Sequence, residues 1–328
     1  MGEATQVLVF GEVLCDLFSA RPGLPIAETE ALRPLLGGAP ANVAVQVARL
    51  GHRVALVSGV GADPFGQRLT RLLRAEGVLT DSVFTVPGRR TGATLVEVDA
   101  DGERRFFGFR EASADLALSA EDVDTAGVRR HLRTARIVHC GTVSMRSDSA
   151  RGATRAIMAG AAARGAIRSV DVNLRPGMYP DQQTMLDRAL EILGCADVVK
   201  ATVDEAALLV GTRATGSKRL RALADGLLKK GPRLIFLTDG EGTMGAFGAR
   251  TQALLPALKA RAVDATGAGD AFVGAVLAGL VADGVGVADV AELDEGKLTS
   301  LLRRGRRAGA AAVRAVGATT AMIREPRR

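Results

Sequence analysis

The stretch IVHCGTVSMRSDSARGATRAIMAGAAARGAIRSVDVN (137–173) decides the fold. IVHCGT (137–142) is a short apolar run of strand length, the Ala-rich segment 150–164 has the composition and length of a helix, and IRSVDVN (167–173) returns to β-formers. Strand, helix, strand is the unit that builds parallel sheets. Downstream the alternation continues with a helix over 184–194, the strand ADVVK (196–200), helices over 203–210 and 218–230, and the strand RLIFLTD (233–239). Upstream, VLVFGEVLCDLF (7–18) reads as strand. ANVAVQVARLG (41–51) places Val43, Val47 and Leu50 on one helical face before Gly51. RVALVSGVG (53–61) is a further strand, and QRLTRLLRAEG (67–77) carries Leu69, Leu72 and Leu73 before Gly77. The rhythm breaks between about 85 and 112, where TGATLVEV (91–98), Asp101-Gly102 and ERRFFGF (103–109) read as an antiparallel hairpin inserted in an α/β chain. One continuous domain over 1–328 is expected, with a mostly parallel sheet and helices on both faces. Ligands of such sheets sit beyond the carboxyl ends of the strands, which makes Asp16, Asn173, Lys200 and Thr238 candidates for one cleft.

Composition narrows the function classes. With 47% hydrophobic and 24% charged residues the 328-residue chain is an ordinary globular one. No apolar stretch reaches the ~18 residues of a membrane span, and the N-terminus carries no basic leader, so a cytoplasmic protein is expected. The net charge of +7 invites a nucleic-acid reading, but aromatics are only 3%, Tyr179 is the single Tyr and there is no Trp, so stacking platforms for single strands are lacking. The densest basic segment, Arg303, Arg304, Arg306 and Arg307, reads as the solvated face of a terminal helix. Cys15, Cys140 and Cys195 form no C-x-x-C pair, and His52, His131 and His139 have no metal-ligand spacing; reduced, mostly buried thiols and a core-packed His139–Cys140 pair are expected.

Two glycine-rich segments are decoys. GTRATGSKR (211–219) has its Lys218 separated from Gly216 by Ser217 and follows no strand, so it reads as a helix-joining loop. Gly240, Gly242 and Gly245 match G-x-G-x-x-G after a strand, but AFGARTQALLPA (246–257) reads as strand and turn, which points to a hairpin instead of a dinucleotide site. The informative segment is VDATGAGDAFVGAVLAGLVADG (263–284). There Gly267, Ala268 and Gly269 run straight into an apolar helix and can turn first-turn amides onto an anion. Asp270 beside them is either a helix N-terminal acid or a general base. Gly37-Gly38-Ala39-Pro40-Ala41-Asn42 is a hinge or floor for a small polar ligand, or simply a tight turn with Asn42 near the cap. DVNLRP places Asp171, Asn173 and Arg175 at alternate positions, on one side if strand geometry persists. Together these suggest phosphoryl transfer to a hydroxyl under a lid.

In family order, GEVLCDLF, GGAPANVA, GVGADPFG, DVNLRP, VVKATVDEAALLVG, LTDGEGTMGAF and DATGAGDAF resemble the PfkB family of carbohydrate kinases, the ribokinase-like group, over nearly the whole chain. Within it GEVLCD, DGERRFFGFREASADLAL and DVNLRPGMYP are most similar to fructokinases. The Arg110, Ser113, Ala114 pattern is shared with 2-keto-3-deoxygluconate kinases. The resemblance implies a three-layer αβα sandwich with a mostly parallel central sheet, a small β lid built from about 13–37 and 85–112, and ATP-dependent phosphorylation of a sugar, D-fructose to fructose 6-phosphate. The alternatives are a 2-keto-3-deoxygluconate or other PfkB-family kinase, and a sugar-binding protein without catalysis. By position, Asp270 is implied as the base, with Gly267, Ala268 and Gly269 as the anion hole. Asp16, Gly38, Asn42, Arg110 and Arg175 are implied on the sugar, and Lys200, Thr238, Gly240 and Gly242 on ATP. Glu205, in an N-x-x-E element that here reads Thr202-Val203-Asp204-Glu205, is implied on Mg²⁺ through water. Asp264, Thr266 and Gly317 are implied on K⁺. Ala265 and Arg306 depart from the usual pattern. A homodimer through the lid follows by the same analogy.

Overall fold

A computed structural model of the chain describes residues 4–21, 24–98, 104–212 and 218–325. The first apolar run does not form one strand. It gives β1 (Val7–Phe10) and β2 (Leu14–Ser19), which enter different sheets. Gly11 between them has φ +143°, and a Cβ there would stand 2.5 Å from the Pro40 ring, so the chain turns where only glycine fits. β3 (Leu32–Gly37) follows, then α1 (Ala39–Arg49), β4 (Val54–Val60), α2 (Pro64–Ala75) and β5 (Val83–Thr85). β6 (Ala93–Val98) and β7 (Arg104–Phe109) pair antiparallel as expected; the Asp101-Gly102 turn lies outside the described residues.

Alternation then resumes. α3 (Ala120–Val123), α4 (Ala126–Thr134), β8 (Ile137–Gly141), α5 (Asp148–Ala162), β9 (Ile167–Asp171), α6 (Gln182–Leu193) and β10 (Val198–Thr202) come first. α7 (Val203–Val210), α8 (Arg219–Leu228), β11 (Leu234–Thr238), β12 (Thr243–Phe247), β13 (Gln252–Pro256), α9 (Ala268–Ala282) and α10 (Glu295–Ala312) complete the chain. Of the segment 211–219, residues 211–218 fall between α7 and α8 in the chain, and 213–217 lie outside the described residues. Gly240 closes the β11–β12 hairpin with φ +51°, so this G-x-G-x-x-G is a turn between antiparallel strands.

Among the described residues, nine strands form one sheet in the order β13-β12-β11-β10-β9-β8-β1-β4-β5, parallel from β11 through β5. Each central strand buries both faces. Val7 and Val9 pack into the core beneath α1, α2, α9 and α10, while Leu8 and Phe10 pack into that beneath α4 to α8. This is the three-layer αβα arrangement, and chain order reverses direction on either side of β1, the crevice where α/β sheets place their ligands. The second sheet runs β3-β2-β6-β7 and is mixed, because β2 and β6 pair parallel.

α9 is buried from Ala271 to Val281, wedged between α1 and α10. Gly274 lets it approach α1, where a Cβ would meet Gln46 at 2.7 Å. Phe272 meets Phe236 of β11 edge to face at 6.0 Å, a contact worth ~0.5–1.5 kcal/mol that pins the helix to the sheet. Buried His139 meets Ser169 at 3.0 Å and burial lowers its pKa to about 3, so it is a neutral core residue. Cys15 and Cys140 are buried and free, with burial raising their pKa values to about 11 and about 12; Cys195 is exposed. No helix of the described residues is long and apolar enough to cross a membrane.

Candidate active site

A cleft of about 890 Å³ opens at the carboxyl ends of the parallel strands, between the large sheet and the mixed one. Asp16, Gly38, Asn42, Arg110, Arg175, Lys200, Glu205, Thr238, Gly240, Thr266, Gly267, Ala268, Gly269 and Asp270 all line it. So does Asn173, which completes the expected strand-end group. Three of the residues implied by resemblance stand off its wall. Gly242 donates its amide to the Asp239 carbonyl at 2.6 Å and serves the hairpin turn. Asp264 and Gly317 lie behind Thr266: one Asp264 oxygen accepts from the Thr266 amide and hydroxyl at 2.9 and 2.6 Å, the other from the Gly317 amide at 2.8 Å.

The acid at the head of α9 is not a simple cap. Gly267 holds the N-cap position with φ +80°, where a Cβ would meet Ala318 at 2.7 Å. The Ala268 amide goes to the Ala265 carbonyl and that of Ala271 to Gly267, which leaves Gly269 and Asp270 as first-turn donors without a helical acceptor. Asp270 Oδ2 accepts from Asn42 Nδ2 at 2.8 Å. Enclosure pushes the Asp270 pKa up to about 7, with the Asn42 hydrogen bond and Lys200 opposing and Asp171 reinforcing the rise. A carboxyl poised there can accept a proton near neutrality. Asn42 itself is not at a cap, since α1 begins at Ala39 with Gly38 as N-cap.

Lys200 and Asp171 sit opposite one another on β10 and β9, with Nζ 3.1 Å from Oδ1. Burial works against the lysine charge, but Asp171 and then Glu205 outweigh it and hold its pKa above the ordinary value. Nζ lies only 3.0 Å from where a Cβ of Gly269 would stand, so the ammonium rests directly under the head of α9. Asp171 is 3% exposed and therefore no solvated strand end. The DVNLRP side chains do converge on the cleft, though not by strand alternation: β9 ends at Asp171, and Asn173 turns with φ 38°. Glu205 closes a capping box, its two oxygens accepting from the Leu174 and Thr202 amides, each at 2.8 Å.

The opposite wall comes from the mixed sheet, where Asp16, Thr94 and Gly108 form one cross-strand row. Gly37 keeps that row open, because a Cβ there would overlap the Asp16 carboxyl. Burial raises the Asp16 pKa to about 7, against the pull of Arg110. Glu12 also lines this end, buried and with its pKa raised by burial. Its place in the motif GEVLCD was legible but its chemistry was not, since nothing in the sequence says that the chain bends at Gly11 and turns this side chain toward Arg110. Arg306, expected on a solvated face with Arg303, Arg304 and Arg307, instead lines the far end of the cleft and donates to the Pro256 carbonyl at 3.1 Å.

Known proteins share this architecture. A fructokinase from Xylella fastidiosa with bound ATP superposes with a TM-score of 0.85 at 33% identity, covering 97% of this chain and 94% of that one. A fructokinase double mutant from Vibrio cholerae O395, bound to fructose, ADP and a potassium ion, gives a TM-score of 0.81 at 28% identity, covering 97% of this chain and 94% of that one. Fructokinase-1 of Oryza sativa subsp. japonica is 35% identical over 294 residues, 90% of this chain and 88% of the rice chain. The family model described as pfkB family carbohydrate kinase matches residues 4–325, and the chain belongs to that family.

Proposed function

We propose that this chain is an ATP-dependent fructokinase, transferring the γ-phosphoryl group of ATP to a terminal hydroxyl of D-fructose to give fructose 6-phosphate. The observation that carries the reading is Asp270, hydrogen-bonded by Asn42 at the head of an anion-receiving helix, in one cleft with Asp16 and Arg110. Likeness to fructokinases over most of the chain supports the choice of sugar. Asp16, Gly38, Asn42, Arg110 and Arg175 hold the sugar; Lys200, Thr238, Gly240 and the Gly267–Gly269 turn serve ATP. Asp270 takes the proton of the attacking hydroxyl as its oxygen bonds to the γ-phosphorus, and the bridging P–O bond breaks to release ADP. The first-turn amides of α9 and the Lys200 ammonium receive the charge of the moving phosphoryl group. Both Glu205 oxygens already hold backbone amides, which suits a water-mediated hold on Mg²⁺, whose chemistry is to neutralise phosphate charge. Asp264, Thr266 and Gly317 are the proposed seat of K⁺.

The chain acts as a single domain with the mixed sheet as its lid. Phe107 and Phe109, 49% and 66% exposed on the edge strand β7, support a homodimer through that sheet, checked by sedimentation. The cytoplasm is the proposed location. Coupled ADP release with Mg·ATP across fructose, ribose, glucose, 2-keto-3-deoxygluconate and adenosine, with and without K⁺, tests the activity. Selective turnover of fructose is expected, and preference for another member refutes the sugar assignment.

The acid limb of kcat/KM gives a sharper test of the base. Asp270 works deprotonated, so activity falls as pH drops through about 7. The Asn42 hydrogen bond favours the carboxylate, and Asn42→Ala therefore moves the limb upward, by up to about one pH unit for one lost hydrogen bond. An unmoved limb separates Asn42 from the titration of the base.

A further inference from the structure

We infer that Asp115 is a positioning residue that decides what Arg110 can recognise: it leaves the guanidinium able to meet a neutral sugar hydroxyl and weakens any two-pronged grip on a carboxylate, which would have to share Nη2 with Asp115. The inference rests on the fructokinase reading for its substrate. Arg110 and Asp115 are 6% and 5% exposed, and Nη2 meets Asp115 Oδ2 at 2.5 Å. Both two-pronged edges of a guanidinium, Nε with Nη2 and Nη1 with Nη2, include Nη2. Asp115 Oδ2 holds one of the two Nη2 protons, and Nε is itself buried without a hydrogen-bond partner. A carboxylate gripping the fork must therefore share Nη2 with Asp115, whereas a single hydroxyl can meet Nη1 without doing so.

The turn that carries Asp115 is fixed by its main chain. Ser113 Oγ donates to the Arg110 carbonyl at 3.1 Å. Gly59 on β4 lets the Ala114 carbonyl approach to where a Cβ would be 2.4 Å away. Glu12, 4% exposed, faces the same guanidinium and adds negative charge, as does Asp16; burial pushes the pKa of each upward and Arg110 resists. A substrate carboxylate would thus meet a guanidinium already surrounded by the charges of Asp115, Glu12 and Asp16. Among the described residues at this end of the cleft the other guanidinium groups are those of Arg146 and Arg175, and Arg175 Nη1 is turned back to the Leu174 carbonyl at 3.0 Å.

The test measures binding by titration calorimetry and turnover separately, for D-fructose and 2-keto-3-deoxygluconate, with wild type, Asp115→Asn and Asp115→Ala. Wild type is expected to prefer fructose. In Asp115→Ala the fructose KM rises roughly tenfold with kcat within about threefold, and the affinity ratio of sugar acid to fructose rises by roughly 10²-fold. Asp115→Asn, which keeps the volume and an acceptor, moves the ratio the same way but less, and it carries the test alone if Asp115→Ala does not fold. An unchanged ratio in the folded variants, or a wild type that binds the sugar acid as well as fructose, overturns the inference. Fructose binding without turnover refutes the kinase reading instead, while the binding ratio still judges Asp115; no binding of either sugar by any of the three proteins overturns both.

Discussion

Asp270→Asn is expected to lower kcat by ~10²–10⁴-fold, the worth of a positioned general base, while fructose affinity changes little. The substitution preserves shape and removes only the ability to take a proton. Its effect on the fold should be slight or favourable. Burial already holds the Asp270 carboxyl up at about 7, so the site disfavours the charged form, and a neutral amide relieves that penalty. Thermal unfolding at pH 8 therefore gives a Tm equal to or above wild type. Loss of turnover with retained fold and retained sugar binding is the signature of the proposed base. Retained turnover would reduce Asp270 to a helix N-terminal acid, and a collapse of sugar affinity together with kcat would make it a sugar ligand.

The sheet and its helices were legible because hydrophobic periodicity is local. Val43, Val47 and Leu50 announce α1 without reference to any other segment, and IVHCGT and RLIFLTD announce strands in the same way. The head of α9 was legible for a related reason, since a run of small residues opening an apolar helix has few uses other than close approach to the backbone. What the sequence hid is pairing. Whether VLVFGEVLCDLF is one strand or two depends on Pro40 lying beside Gly11, 29 residues away in the chain. Arg110 was implied as a sugar contact, but its ion pair with Asp115 was not legible. Arg306 belonged to a basic run and turned out to face the cleft. In each case the deciding partner is set by tertiary contact or by a turn that no period describes.

The Lys200–Asp171 pair is the clearest instance of such a hidden partnership, and it carries the second large effect. Lys200→Met is expected to destabilise the protein by ~3–5 kcal/mol, because Asp171 is left as a buried charge without its cation. The two residues are direct cross-strand neighbours and are 8% and 3% exposed, so water cannot take the place of the ammonium. A fall in the urea midpoint at unchanged slope measures this cost. Activity should suffer for a different reason. Nζ lies under Gly269, where the transferred phosphoryl group is proposed to pass, and removing a preorganised charge of that kind costs ~10²–10³ in kcat. The double variant Lys200→Met with Asp171→Asn separates the two effects. Neutralising Asp171 removes the unpaired charge and should restore most of the lost stability, while kcat stays low because nothing replaces the cation beneath α9. If kcat returned along with stability, the ammonium would be a structural counter-ion to Asp171 and the α9 amides alone would receive the phosphoryl charge. If stability did not return, the loss would lie in the packing of the lysine stem between β9, β10 and the head of α9.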